Sequence, residues 1–177
     1  MTDDTRTARR AAPRGDDPTA EQMLRHLRGA NAVAQRSLDA GHHPFGALLV
    51  APDHLTVLAD QGNVDTVNHA EAVLARMVAR QYTADALWDC TLYTTVEPCC
   101  MCAGTMYWAH IGRLVYGMSE RRLLQLTGNH AENPTLALPC RTVFASGQKD
   151  IRVWGPVPEV EEEIAALHMA FWQRGAG

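Results

Sequence analysis

The sequence predicts an α/β layered fold with some parallel strand pairing. Short β-branched and aromatic runs alternate along the chain with longer runs of helical hydrophobic period. The first two strand-like runs are separated by little more than a Pro52-Asp53 turn, which reads as a hairpin. At 177 residues the chain fits one domain and is long enough to bury most of its apolar surface.

In order along the chain, residues 1 to 17 mix Asp, Arg, Thr, Pro and Gly without periodicity and are expected to form a mobile tail. Residues 18 to 177 are expected to form a single domain. Thr19 and Gln22 make a capping box for a helix whose Met23, Leu27, Ala30, Ala34 and Leu38 fall on one stripe, and Gly41 stops it. Phe45 to Val50 and Leu55 to Asp60 are the hairpin strands. An apolar run of Ala70, Val73, Leu74, Met77 and Val78 has helical spacing. Asp89 to Thr95 reads as a third strand, Cys99 to Ala109 as a helix, Arg113 to Gly117 as a fourth strand and Glu120 to Leu126 as a short helix. Leu126 to Asp150 holds Gly128, Pro134, Pro139 and Gly147; long irregular segments of this kind are usually functional or disordered, although Cys140 to Ser146 could make a short helix. A fifth strand lies near Ile151 to Val153, and a last helix runs from about Glu159 to Trp172.

Composition narrows the class. The formal net charge is −4, and Glu159, Glu161, Glu162 and Glu163 make the C-terminal stretch acidic. Proteins that grip nucleic-acid backbones need lysine and arginine faces. Arg121-Arg122 is the only basic pair outside the tail, so no nucleic-acid partner is expected. No stretch approaches the ~18 apolar residues of a membrane span, and the start lacks the apolar core of a secretory signal, so a cytoplasmic protein is expected. Five cysteines argue for reduced thiols rather than a disulfide framework. Cys90, Cys100 and Cys140 read as packing residues.

The chemistry concentrates in His69, Glu71, Pro98, Cys99 and Cys102. Zinc favours imidazole and thiolate, and a catalytic site keeps three protein ligands and an open position for water, whose pKa falls to about 7 on the metal. Glu71 has the reach to move protons beside such a water. Asn68 followed by Glu71 is equally a helix capping pair, and the two readings can coexist. The triplet alone is weak, since Asn-His-Ala-Glu occurs twice. The second copy, Asn129 to Glu132, lies between Thr127-Gly128 and Asn133-Pro134, among turn formers. The metal is therefore assigned to His69, and His130 is left out. Pro98 suits a helix start, which puts Cys99 and Cys102 on one face near a positive helix end that favours thiolates.

His69-Ala70-Glu71 followed by Tyr93-Thr94-Thr95-Val96-Glu97-Pro98-Cys99-Cys100-Met101-Cys102-Ala103-Gly104 resembles the cytidine deaminase superfamily over roughly residues 20 to 120. The resemblance implies a three-layer α/β/α sandwich with a mixed five-stranded sheet, zinc held by two helices on one face, and a homodimer. Pro44-Phe45-Gly46-Ala47 and Gly62-Asn63 are similar to further family features, with Asn63 where such enzymes hydrogen-bond the base. Without the family, Asn63 is a turn residue.

The expected activity is hydrolytic deamination of a free nucleobase or related heterocycle. Guanine comes first, because Tyr107-Trp108-Ala109 looks like guanine deaminases and because Glu132 could supply a second carboxylate on a segment folded over the pocket. A solvated loop glutamate explains Glu132 equally well. Cytosine is close behind, with a nucleoside or tRNA adenosine as alternatives. Phe45 and Trp172 are expected to pack the faces of the ring, with Trp108 nearby; ordinary packing is the competing reading for the tryptophans. A structural zinc module would need a fourth ligand from His110, Cys90 or Cys140. A redox role for Cys99 and Cys102 leaves His69 and Glu71 unexplained.

Overall fold

A computed structural model describes residues 10–128 and 135–172. Helix α1 (Ala20–Asp39) opens at the expected capping box: the Thr19 hydroxyl accepts from the Gln22 N–H, and the Gln22 side chain accepts from the Thr19 N–H. Gly41, at φ +87°, follows its end, a backbone conformation that side chains with a Cβ rarely adopt. Strands β1 (Gly46–Val50) and β2 (Val57–Gly62) pair antiparallel. Strand β2 starts two residues later than the sequence predicts. The Asp53 carboxylate accepts from the Leu55 and Thr56 N–H groups and from the Thr56 hydroxyl, so those residues belong to the turn.

Helix α2 (Ala70–Val78) and a short helix α3 (Ala84–Trp88) precede β3 (Thr91–Val96). The sequence reading missed α3, which Thr83 caps by accepting from the Ala86 N–H; Asp89, read as strand, closes it instead. Helix α4 (Cys100–Trp108), β4 (Arg113–Met118), α5 (Glu120–Thr127), α6 (Cys140–Ala145), β5 (Arg152–Trp154) and α7 (Pro158–Trp172) complete the order.

The sheet runs β2-β1-β3-β4-β5, antiparallel across its first two pairings and parallel across the last two. Alternation along each strand sends residues to two cores. On one face Leu48, Tyr93 and Val115 meet Leu27 of α1 and Ile164 of α7; on the other Leu49, Leu92 and Leu114 meet Leu74 of α2 and Met106 of α4. The architecture is the mixed five-stranded α/β/α sandwich that the resemblance implies. Strands β3 and β4 are buried along their whole length, as parallel strands covered on both faces are. Their carboxyl ends open towards the first turns of α4 and α5, the end at which open α/β sheets place ligands.

The expected tail reaches residue 17, but residues 10–17 run against the sheet's other end; residues 1–9 lie outside the described residues. Arg10 forms a parallel bridge with Lys149, the Trp88 indole N–H donates to the Ala11 carbonyl, and Arg14 pairs with Asp89. The anchor is Arg113, fully buried at the start of β4, whose guanidinium donates to the Asp89 and Arg14 carbonyls. A buried cation needs such acceptors, and the segment supplies one of them.

Gly46 fixes the approach of α1 to β1: a Cβ there would lie 2.3 Å from the Ala30 carbonyl oxygen and 2.5 Å from the Ala34 nitrogen. Both are backbone atoms of a packed helix and cannot swing away. Gly46→Ala is expected to destabilise the fold by about 1–3 kcal/mol, the usual cost of overpacking. Chemical denaturation should show a lower midpoint at unchanged slope; an unaltered midpoint would show that α1 shifts freely.

Candidate metal centre and active site

Helices α2 and α4 pack together on one face of the sheet, and each begins with a site residue in extended conformation: His69 at φ −66°, ψ 151°, and Cys99 at φ −61°, ψ 169°. Neither side chain caps its own helix, so both are free to face each other. Cys102 lies one turn further along α4, at the i+3 spacing that shares a helix face. The His69 Nδ1 is 3.7 Å from the Cys99 Sγ and 3.5 Å from the Cys102 Sγ. Zinc bonds of tetrahedral geometry would put nitrogen and sulfur about 3.6 Å apart. The three ligand atoms lie within 4.8 Å of one another and are positioned to bind a metal ion.

The other imidazole nitrogen completes the histidine's orientation. Nε2–H donates to the Thr66 carbonyl at 3.1 Å, which leaves Nδ1 as the ligating atom. Thr66 belongs to a tight loop built on Asp65, whose carboxylate accepts from the Val67 and Asn68 N–H groups and the Asn68 amide. These donors, that of the Asn68 side chain foremost, hold the Asp65 carboxyl down to about 2. The Cys102 hydrogen bond, with His69 alongside, holds Cys99 down to about 4, so one ligand is a thiolate already. Cys102 is pushed up by the same contact, and the hydrogen bond between His69 and Cys99 raises His69.

Among the described residues no other group of three His, Cys, Asp or Glu side chains could hold a metal. The three candidates for a fourth protein ligand are engaged elsewhere. Cys90 donates to the Ala86 carbonyl, Cys140 is buried in the core, and the His110 ring meets Arg10 at 3.2 Å. The geometry is that of three ligands with an open position.

Glu71 lies outside the ligand group. It is 5 % exposed, its Oε1 accepts from the Thr94 hydroxyl at 2.6 Å, and burial pushes its carboxyl up. Its capping reading is not realised, because His69 is the cap residue and the Asn68 side chain donates to Asp65. Strand β3 therefore holds the acid beside the metal ligands without joining it to them.

A cavity of about 460 Å³ opens over this centre, within the range of small-molecule sites. His69, Glu71 and Cys99 form its floor; His43, Phe45, Glu97, Met101, Glu120 and Leu123 are among its walls. The Phe45 ring lies parallel to the His69 imidazole, 6° apart in plane and 6.5 Å between centroids. Trp172 stands one layer further out: its ring packs on His43 at 4.9 Å, and its indole N–H donates to the buried His168.

Asn63 is buried at the end of β2 beside the centre but is not part of the cavity wall. Its amide donates to the Asp65 carbonyl, and its Oδ1 has no partner among the described residues. Trp108 does not reach the cavity. It is 76 % exposed on the outer side of α4, because Tyr107 turns inward to Gln148 and Gly147, and the next helical residue points about 100° away. Glu132 and His130 lie outside the described residues.

Sequence reasoning missed His43, Glu97 and Glu120. The signals were present: His43 precedes the Pro44-Phe45 pair, Glu97 abuts Pro98-Cys99, and Glu120 follows the carboxyl end of a parallel strand. The Glu97 carboxylate accepts from the Cys140 N–H at 3.1 Å and the Glu120 N–H at 3.4 Å, tying α5 and α6 to the site. Burial pushes the Glu120 carboxyl up to about 7, with the charges of Cys99 and Glu71 adding to it.

The loop geometry makes Asp65 a positioning residue for His69 through the Thr66 carbonyl. Asp65→Ala is expected to weaken zinc binding about 10-fold, the lower end of what loss of a ligand's supporting partner costs. Competition with a chromogenic chelator would measure it, with secondary structure preserved. Unchanged affinity would show that the loop holds its shape without Asp65.

The family model for the cytidine and deoxycytidylate deaminase zinc-binding region matches residues 20–118. A probable cytosine deaminase of Schizosaccharomyces pombe is 34 % identical over 88 % of this chain and 96 % of its own. A guanine deaminase of Bacillus subtilis is 39 % identical over 51 % of this chain and 60 % of its own, and a tRNA-specific adenosine deaminase of Haemophilus influenzae 35 % identical over 56 % and 58 %. Among solved structures, a guanine deaminase of Nitrosomonas europaea superposes with a TM-score of 0.67 at 19 % identity, over 91 % of this chain and 88 % of that one, which is a likeness of fold. With His69, Cys99 and Cys102 placed as zinc ligands inside the matched region, this chain belongs to the cytidine deaminase superfamily and is a zinc-dependent hydrolytic deaminase acting on a cyclic amidine C–N bond.

Proposed function

We propose that the enzyme deaminates a free nucleobase, with cytosine ahead of guanine. The observation that carries this reading is the chemistry of the cavity wall: it contains Glu71, Glu97 and Glu120 and, among the described residues, no lysine or arginine. Such a wall favours a neutral ligand rich in N–H donors and disfavours one that brings phosphate. The parallel Phe45 and His69 rings offer a flat face on which a planar heterocycle stacks.

The order of substrates differs from the sequence-based expectation. Guanine rested on Trp108 and Glu132; Trp108 faces outward, and Glu132 is not described. A relative that aligns along nearly its whole length is named a probable cytosine deaminase, which supports the smaller base.

Zinc in this site supplies Lewis acidity that brings the pKa of a water nucleophile to about 7. The residues of the chain do the rest. Glu71, buried and fixed by Thr94, takes a proton from the water and returns it to the departing amine; a carboxyl raised by burial suits both transfers. Phe45 stacks on the ring. Trp172 acts through His43 to hold the outer wall. Backbone N–H groups around Pro98-Cys99 are available to meet the carbonyl of the base, while Asn63, off the cavity wall, donates to the Asp65 carbonyl and supports the loop that carries Thr66. Two of the arginines beside the acidic last helix are paired, Arg28 with Glu163 and Arg122 with Glu161 and Glu162, which reduces the positive charge that this face could offer a tRNA backbone.

Ammonia release from cytosine, guanine, adenine, their nucleosides and an adenosine-34 tRNA stem-loop tests the reading. Turnover of a free base is expected; deamination of the tRNA alone overturns it. Glu71→Gln is expected to keep zinc and lower kcat by about 10²–10⁴-fold, the contribution of a positioned acid–base group. Retained turnover in that variant with full zinc would remove Glu71 from the chemistry.

A further inference from the structure

Three carboxylates face the cavity, and two of them are committed to the protein. Glu71 accepts from the Thr94 hydroxyl, and both oxygens of Glu97 accept from backbone N–H groups. Glu120 is different: its backbone N–H is used, yet among the described residues nothing donates to its carboxylate. It stands at the first position of α5, after Ser119, whose hydroxyl caps the helix by accepting from the Arg122 N–H. Ser119 therefore satisfies the helix start, and Glu120 is not needed as its cap. Of the described residues that line the wall with it, Leu123 and Leu136 carry no donor, and the Thr135 hydroxyl makes no hydrogen bond among the described residues.

A cavity-wall carboxylate that the described protein groups leave without a donor presents its acceptor oxygens to whatever occupies the cavity, water or ligand. We propose that Glu120 is a specificity-determining residue, whose carboxylate accepts an N–H from the edge of the bound heterocycle remote from the carbon under attack. This rests on the nucleobase reading above and adds a selection rule to it. The substrate must present a ring N–H or amine on that edge, and a base alkylated there is a poor substrate. Glu120 takes the role that the sequence offered to Glu132, from a position fixed by β4 and by its own N–H bond to Glu97.

The test pairs a substrate change with a protein change in the full-length, zinc-loaded enzyme. The wild type, Glu120→Gln and Glu120→Ala are assayed for kcat/KM on the preferred base and on its ring N-methyl derivatives, with zinc content and circular dichroism confirming the fold. Wild-type enzyme is expected to lose about 10- to 100-fold on the derivative methylated at the contacted nitrogen, the range for a hydrogen bond to a charged group. Glu120→Ala is expected to lose a similar factor on the parent base, mostly in KM, and to show less than about 3-fold further penalty for that methyl group. Should Glu120→Ala fail to fold, Glu120→Leu takes its place, because Glu120→Gln keeps an acceptor oxygen and is expected to keep part of the methyl penalty. Equal methyl penalties in wild type and variant, or a parent activity unmoved by either substitution, overturn the role of Glu120 while the nucleobase reading stands. A wild type that deaminates no free base overturns both.

Discussion

Everything in this site depends on two helix starts meeting above the carboxyl ends of a parallel strand pair. A tetrahedral ion requires its ligands at fixed separations of a few ångströms, and side chains on loops would have to be ordered at a cost in entropy. Placing His69 at the start of α2 and Cys99 with Cys102 on the first turn of α4 transfers that cost to the packing of two helices on the sheet. The same arrangement tunes the ligands, since the N-terminal end of a helix stabilises thiolate. It also explains why Glu71 can be near the metal and yet not bind it: two residues into α2 it points at the sheet, where Thr94 holds it.

The features that were legible in the sequence are those whose geometry is local. Cys99 and Cys102 share a face because they are three apart on one helix, the capping box at Thr19 and Gln22 is complete within four residues, and the strands of the central sheet announce themselves by short runs rich in β-branched and aromatic residues. The features that were not legible depend on contacts distant in the chain. Residues 10–17 look like a tail by composition, and only the burial of Arg113, about a hundred residues later, shows what they cover. Trp108 looked like a pocket aromatic because its neighbours in sequence are, but the inward turn of Tyr107 decides the direction of the next side chain. Glu120 gave no compositional sign, since a glutamate opening a short amphipathic helix is ordinary; its meaning comes from the strand that precedes it.

The outer wall shows how the fold protects this arrangement. Phe45 is held between the centre and the last helix, with His168 against it at 4.9 Å, and His168 is fully buried as a neutral ring, its pKa pushed down to about 3 chiefly by burial. A neutral imidazole there can accept the Trp172 N–H, so the end of α7 is fastened by a polar contact inside an apolar layer. The acidic outer face of that helix is matched by Arg28 and Arg122 from α1 and α5. Such exposed pairs add little stability.

Charge then decides what the cavity can hold. Three carboxylates, Glu71, Glu97 and Glu120, line the cavity. Each carboxylate has its own remedy. Glu97 is satisfied by backbone N–H groups, Glu71 is raised by burial and hydrogen-bonded to Thr94, and Glu120 is raised as well but has no donor among the described residues. A ligand carrying phosphate would add negative charge to this set, with no lysine or arginine among the described wall residues to receive it. A neutral base carrying N–H groups would do the opposite, offering donors to the acceptor that Glu120 leaves unused. The proposed preference for a small uncharged heterocycle thus rests on where the acids are, with His69, Cys99 and Cys102 positioned to hold the metal that would supply reactivity.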